Sequence, residues 1–227
     1  MKESISTHLP DDASPPVLCD AIRARHLSLC GILNSRLAHL QAARSVWDEK
    51  HPKYAAETIL KSDNKGALWD LLRVLNLKAS LWNLDFAGLL MPPVADYLQE
   101  EAFEEYTSHP VFFQHFLCSL LGLDGKRKTT EARVYSAIST ACASIMLVCR
   151  HFGDVLRSNL APSPHKGIGM DLSKEDRIFK SQRVVDALMS AQTTLRDLQL
   201  HAALPTGKGR LKQAVNETLH QLDITLS

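Results

Sequence analysis

The chain has 227 residues, 45% of them hydrophobic and 22% charged, with a formal net charge of +1. It is long enough to bury a real core, and it has no overall field for nucleic acid or an anionic membrane. Its most apolar stretch, VFFQHFLCSLLGL, is too short to span a bilayer and contains Gln114 and His115. Five cysteines without a C-x-x-C pair, and no basic-then-apolar leader, read as a soluble protein of a reducing compartment, cytosolic or nuclear.

Residues 1–16, ending in HLPDDASPP, are polar and proline-bearing and read as a disordered lead. From Val17 on, Ile22, Leu29, Leu33, Leu40 and Trp47 recur at helical spacing and predict one long amphipathic helix to about residue 49. The His51–Pro52 step ends it, because the residue before proline is pushed out of the α region. Pro52 opens a short second helix, PKYAAETILKS. Asp63 or Asn64 can cap a third, whose Leu68, Leu71, Leu72 and Leu75 form an apolar stripe beside Trp69. Ser80 can cap a fourth, KASLWNLDFAGLL, which is apolar on more than one side and so is either central to a core or shared with a second protein. Pro92 and Pro93 are expected to kink or restart it.

HPVFFQHFLCSLLGL reads as a fifth helix and DGKRKTTEA as a turn. The sixth helix carries Val134, Ile138, Ala141, Ile145, Val148, Phe152 and Val155 at alternating steps of four and three, a coiled-coil-like seam. APSPHKGIGM is a linker, and Asp171 or Ser173 begins a seventh helix with Ile178, Val185, Leu188, Leu195 and Leu198 on its inner face. PTGKGR breaks the chain before a short terminal helix at 211–222. β-branched residues never gather into alternating runs, so the expected class is all-α: an irregular helical bundle or short α-solenoid of about seven to eight helices. The expected organisation is one helical domain over 17–200 and a C-terminal extension over 201–227.

Motifs that carry chemistry are missing. The ten histidines are scattered, and no H-E-x-x-H or Cys/His cluster predicts a metal. Around Gly207 and Lys208 a phosphate loop would need glycine where Ala202 stands and Ser or Thr where Gly209 stands. Gly167 and Gly169 follow a linker rather than a strand, and there is no G-x-S-x-G elbow. The expectation is no enzyme, no cofactor and no metal. Charge is nonetheless segregated. Residues 83–107 hold six acids and no Lys or Arg, whereas 150–212 hold eleven Lys and Arg against six Asp and Glu. Lys174, Arg177 and Lys180 step along one helix, and Arg23, Arg25 and Arg36 lie on the first. Such a surface fits either a polyanionic partner or plain solvation.

Four segments in order, ARSVWDEK, LWDLLRVLNLKASLWNLDFAGLLMPPVADYLQ, SIMLVCRHFGDVLRSNLA and GIGMDLSKEDRIFKSQRVVDAL, resemble the conserved C-terminal domain of the katanin regulatory subunit. The most specific pieces are K-A-S-L-W-x-L-D at Lys78 to Asp85, and the pattern carried by Gly167, Asp171, Leu172, Ser173, Glu175, Asp176 and Arg177. Residues 101–134 look like an insertion relative to that family. No WD-repeat propeller precedes the helices in this sequence, so the chain is either a piece of a longer protein or a shorter relative, Met1 leaning toward the second.

The resemblance implies a noncatalytic α-helical module. It would pair with the amino-terminal domain of a katanin-type AAA ATPase that severs microtubules, and would help the pair engage microtubules in the cytoplasm, at spindle pole, centrosome or basal body. The alternative is an adaptor of the same fold for other microtubule- or motor-associated proteins. Trp47, Tyr54, Ile59, Trp69 and Leu72 are the candidate partner contacts, on apolar stripes of the early helices. Arg23, Arg25, Arg36, Lys174, Arg177 and Lys180 are the candidate microtubule contacts. Neither nucleic acid nor membrane is expected as a partner.

Overall fold

The computed structural model describes residues 15–49, 52–62, 64–107, 124–161, 172–200 and 209–227. Seven α-helices occur among them: α1 (Pro15–Glu49), α2 (Pro52–Lys61), α3 (Lys65–Asn76), α4 (Leu84–Thr107), α5 (Asp124–Leu160), α6 (Leu172–Leu200) and α7 (Gly209–Leu226). One 3-10 turn lies at Ala79–Leu81, and no strand is present among the described residues. The all-α expectation is met. The expected lead at 1–16 falls outside the described residues up to position 14, and helix begins at Pro15 rather than near Val17. The expected fifth helix at 109–123 and most of the linker at 161–170 also lie outside them.

The chain divides into two compact units with the boundary inside α3, at Met1–Ala67 and Leu68–Ser227. In the first unit α1 packs against α2. The Ser62 hydroxyl donates to the Ile59 carbonyl at 2.7 Å and closes the end of α2. Of the two candidate caps, Asn64 caps α3: its Oδ1 accepts from the Ala67 amide at 3.0 Å.

In the second unit α4 packs chiefly on α6, and α5 chiefly on α7, with further contacts of α4 with α5 and of α6 with α7. The KASLWNLD segment becomes a tight corner. Lys78 donates back to Leu75 at 3.0 Å, and Trp82 to Ala79 at 3.1 Å. Asn83 rather than Ser80 then caps α4, accepting from the Phe86 amide at 2.8 Å. Trp82, Phe86, Leu90 and Met91 are buried, so the surplus apolar surface of this segment is core. Helices α4 and α6 touch at Gly88, where a Cβ would stand at ordinary contact distance, 3.8 Å, from the Lys180 carbonyl. Helix α4 runs on through Pro92 and Pro93 instead of restarting, with Val94, Ala95 and Leu98 buried beyond them.

The basic stretch DGKRKTTEA, expected as a turn, is the opening of α5. Its seam holds from Ile138 through Ala141, Ile145 and Val148, all buried, and then rotates. Val155 is 44% exposed, whereas Cys142, Cys149 and Leu156 are buried on a second line facing α7. A Cβ on Gly153 would meet Thr225 at 3.4 Å, so α5 and α7 lie in contact there. The terminal helix is therefore no appendage: Leu211, Val215, Leu219 and Leu222 are closed into the core.

Polar side chains set the register. Asn76 donates to Ser144 at 3.0 Å and accepts from the same hydroxyl at 3.1 Å, tying α3 to α5. Arg157 donates to the Ile224 carbonyl at 2.6 Å, a cation at the carboxyl end of α7 where the helix dipole favours it. Arg196 pairs with Asp223 at 2.6 Å between α6 and α7. Burial pushes the Cys142 and Cys149 thiols from the ordinary 9.0 up to about 11, an effect partly offset by hydrogen-bonding contacts with Thr218 and Thr225.

Both thiols are thus protonated and enclosed at neutral pH, whereas Cys19 is exposed. A thiol reagent at pH 7.5 should label Cys19 promptly and Cys142 and Cys149 only in denaturant; equal labelling rates in the native chain would contradict the packing of α5 on α7. A thiol whose folded pKa is raised stabilises the fold below the ordinary value and loses that contribution as pH climbs toward the raised one. A thermal melt series should therefore be flat near neutrality and decline above about pH 9, where unfolded thiols begin to ionise.

Candidate partner-binding surface

A helix of 35 residues cannot be covered by a neighbour of ten. Helix α2 starts just after α1 ends and packs back along it, so at ~1.5 Å per residue it reaches only about ten residues of α1. Burial follows that arithmetic. Ala43 is buried and Leu40 and Trp47 are half-buried, while Ile22 (56%), Leu29 (53%), Ile32 (56%), Leu33 (51%) and Leu37 (52%) stay exposed. Ile22, Leu29, Leu33, Leu40 and Trp47 follow one another at steps of seven and four, so they form a single line down the helix. Its lower half is covered and its upper half is bare. The covering stops near Arg36, whose guanidinium would lie 3.3 Å from a Cβ on Gly66.

The five residues expected to contact a partner separate by environment. Tyr54 is half exposed and Trp47 half-buried. Ile59, Trp69 and Leu72 are buried, Leu72 completely, and so serve the interior of the chain. A partner cannot touch them without opening the fold. Ile32 and Leu37 are exposed beside that line of α1 although they are not part of it. The signal for them was the mismatch in length between the first two predicted helices.

The candidate cations also separate. Arg23 is exposed and lies 3.5 Å from Asp20. The Arg25 side chain is outside the described residues, and Arg36 is half-buried. Lys174 and Arg177 are exposed on the opening turns of α6, where Arg177 donates from Nε to the Ser173 carbonyl at 3.2 Å. Lys180 is committed elsewhere: it pairs with Asp85 of α4 at 2.6 Å and with Asp176 on its own helix. Those hydrogen bonds, Asp176 first, hold its ammonium above the ordinary lysine range. It is a clasp between α4 and α6 rather than a free surface charge. Among the described residues no group of three or more His, Cys, Asp or Glu could hold a metal, and no helix is long and apolar enough to cross a membrane.

A profile of the con80 domain of katanin matches residues 24–111 and 131–216, most of the described helices of both units. The chain belongs to the katanin con80 family. The two matched stretches leave 112–130 between them. Among curated proteins, this con80 chain is 24% identical over 86% of its length to the katanin p80 WD40 repeat-containing subunit B1 of Xenopus tropicalis, of which it spans 25%. It is 23% identical over 78% of its length to the protein of the same name from Danio rerio, covering 20% of that protein. The Arabidopsis thaliana homolog KTN80.3 is 23% identical over 99% of the chain, which spans 22% of it. The chain thus spans about a quarter or less of these relatives.

Proposed function

We propose that this con80 chain is a noncatalytic regulatory module that pairs with the amino-terminal domain of a katanin-type AAA ATPase and helps it engage microtubules in the cytoplasm. The observation that carries the reading is the family match coinciding with an apolar helix left half bare, a surface built to be covered by another protein. Trp47 and Tyr54, at the accessible edge of α1 and α2, are the aromatic contacts retained from the sequence. Ile59, Trp69 and Leu72 are buried and belong to the interior instead.

The proposed microtubule contacts are Arg23, Arg25 and Arg36 on α1 and Lys174 and Arg177 on α6, with Lys180 holding α6 in place. Acidic filaments attract such cations through a field that salt screens within roughly 10 Å at 0.1 M. Co-purification of the chain with the amino-terminal domain of a katanin catalytic subunit tests the pairing, and no complex at micromolar concentrations would defeat it. In microtubule co-sedimentation of the complex, Lys174→Glu with Arg177→Glu should lower the pelleted fraction at least threefold at low salt. Unchanged pelleting would remove α6 from the microtubule contact.

A further inference from the structure

The two segments most specific to the family meet at one lysine. Asp85 closes the KASLWNLD corner at the start of α4, Asp176 lies in the opening turns of α6, and Lys180 pairs with both, with Asp85 at 2.6 Å. Just beyond Lys180, α6 is anchored: the Asn159 side-chain amide at the end of α5 donates to the Ser181 hydroxyl at 2.9 Å, and Ser181 and Val184 are fully buried. Before Lys180 the burial ends. Residues 173–177 and Phe179 are exposed and Ile178 is half-buried, so two turns of helix carry no enclosed side chain among the described residues. Lys174, Arg177, Ser181, Val184 and Leu188 follow one another at steps of three and four and form a single line along α6. From Ser181 onward that line is core, and in the opening turns it is two exposed cations. A helical stretch this short with no buried face is marginal by itself and frays.

We infer that Asp85 and Asp176, acting through Lys180, are positioning residues that keep the opening turns of α6 helical, and that this order holds Lys174 and Arg177 in place for an acidic filament. An acid four residues before a lysine is the favourable order along a helix, and the arm to Asp85 ties the same ammonium to a second helix. Net charge does not account for attraction here. Residues 172–180 hold Lys174, Arg177 and Lys180 against Glu175 and Asp176, and Asp85 balances the one positive charge left over. A neutral cluster has little long-range field, so contact depends on where its two outward cations are held. The inference rests on the proposed microtubule contact for its partner, while the ordering of α6 stands on the geometry alone.

Asp85→Asn tests it, because the substitution removes one arm of the clasp and also a negative charge beside the cations, so positioning and simple attraction predict opposite signs. In microtubule co-sedimentation of the chain bound to the ATPase amino-terminal domain, the pelleted fraction at low salt should fall at least twofold. Amide hydrogen exchange on the full chain gives a readout independent of microtubules. The amides of 176–180, the first in α6 with an acceptor inside the helix, should exchange at least threefold faster in Asp85→Asn and in Asp176→Asn, while those of 184–198 and the melting temperature stay at wild-type values. Lys180→Arg, whose guanidinium can serve both carboxylates, should keep both readouts near wild type, and Lys180→Met should lose both. Unchanged exchange at 176–180 in Asp85→Asn overturns the clasp, and so does a rise in its pelleted fraction, which returns the surface to simple attraction. A lowered melting temperature with faster exchange along the whole of α6 also overturns it, by assigning Asp85 to the stability of the core. If the wild-type complex does not pellet, the proposed microtubule contact falls, and faster exchange in the two aspartate variants still upholds the clasp.

Discussion

Leu72→Ala is expected to lower the unfolding free energy of the chain by about 2–5 kcal/mol, the cost of removing a fully enclosed leucine and leaving a cavity behind. The position discriminates between two roles that its sequence context allows. A leucine whose business is to meet a partner would leave the isolated chain as stable as wild type and weaken only the complex. A leucine of the interior does the opposite: the isolated chain melts earlier, and any loss of partner affinity tracks the unfolded fraction and disappears when the complex is measured at low temperature. Chemical denaturation of the isolated variant separates them. An unchanged midpoint with an unchanged slope would return Leu72 to the surface. Leu29→Ala is the matched control, because Leu29 is half exposed and its truncation should cost the free chain well under 1 kcal/mol.

Helices were legible wherever a stripe repeated at 3.6 residues and a small polar residue preceded it. Asn64 and Pro52 stand at helix starts for the reasons their chemistry predicts. Three local readings gave way to tertiary context. Ser80 has the right side chain for a cap, but the corner at Lys78–Trp82 turns first and hands the role to Asn83. Pro92 and Pro93 each remove an amide donor, yet Val94, Ala95 and Leu98 are buried beyond them, and that packing carries the helix onward. Residues 124–132 look like a polar turn because no apolar stripe runs through them, but they extend a long helix that is anchored further on.

The candidate site was less legible than the fold, for a reason of geometry. An apolar stripe has the same spacing whether its own chain covers it or leaves it bare. Ile22 and Leu72 are indistinguishable by periodicity and differ only in what lies across from them. Charge carries the same ambiguity: Lys180 steps with Lys174 and Arg177 along the chain, but only the fold brings Asp85 to it.

Removal of residues 209–227 is the change expected to cost most. Helix α7 encloses Leu211, Val215, Leu219 and Leu222, and burying four such side chains is worth roughly 6–12 kcal/mol at about 1.5–3 kcal/mol each. That rivals the whole stability of an ordinary domain, about 5–15 kcal/mol. The truncated chain would also lose the Arg196–Asp223 pair and bare the line of Cys142, Cys149 and Leu156 on α5. The expected product retains helix but not fixed packing in the second unit: far-ultraviolet circular dichroism falls modestly, the cooperative melt is lost, and Cys142 and Cys149 react with a thiol reagent at pH 7.5 without denaturant. The rise in thiol reactivity is the sharper readout, since it reports the α5 surface directly and does not depend on how much helix survives. Should the truncated chain keep a cooperative melt near the wild-type temperature with both thiols still protected, the terminal helix would be an extension after all, and the second unit would have to close its core without it.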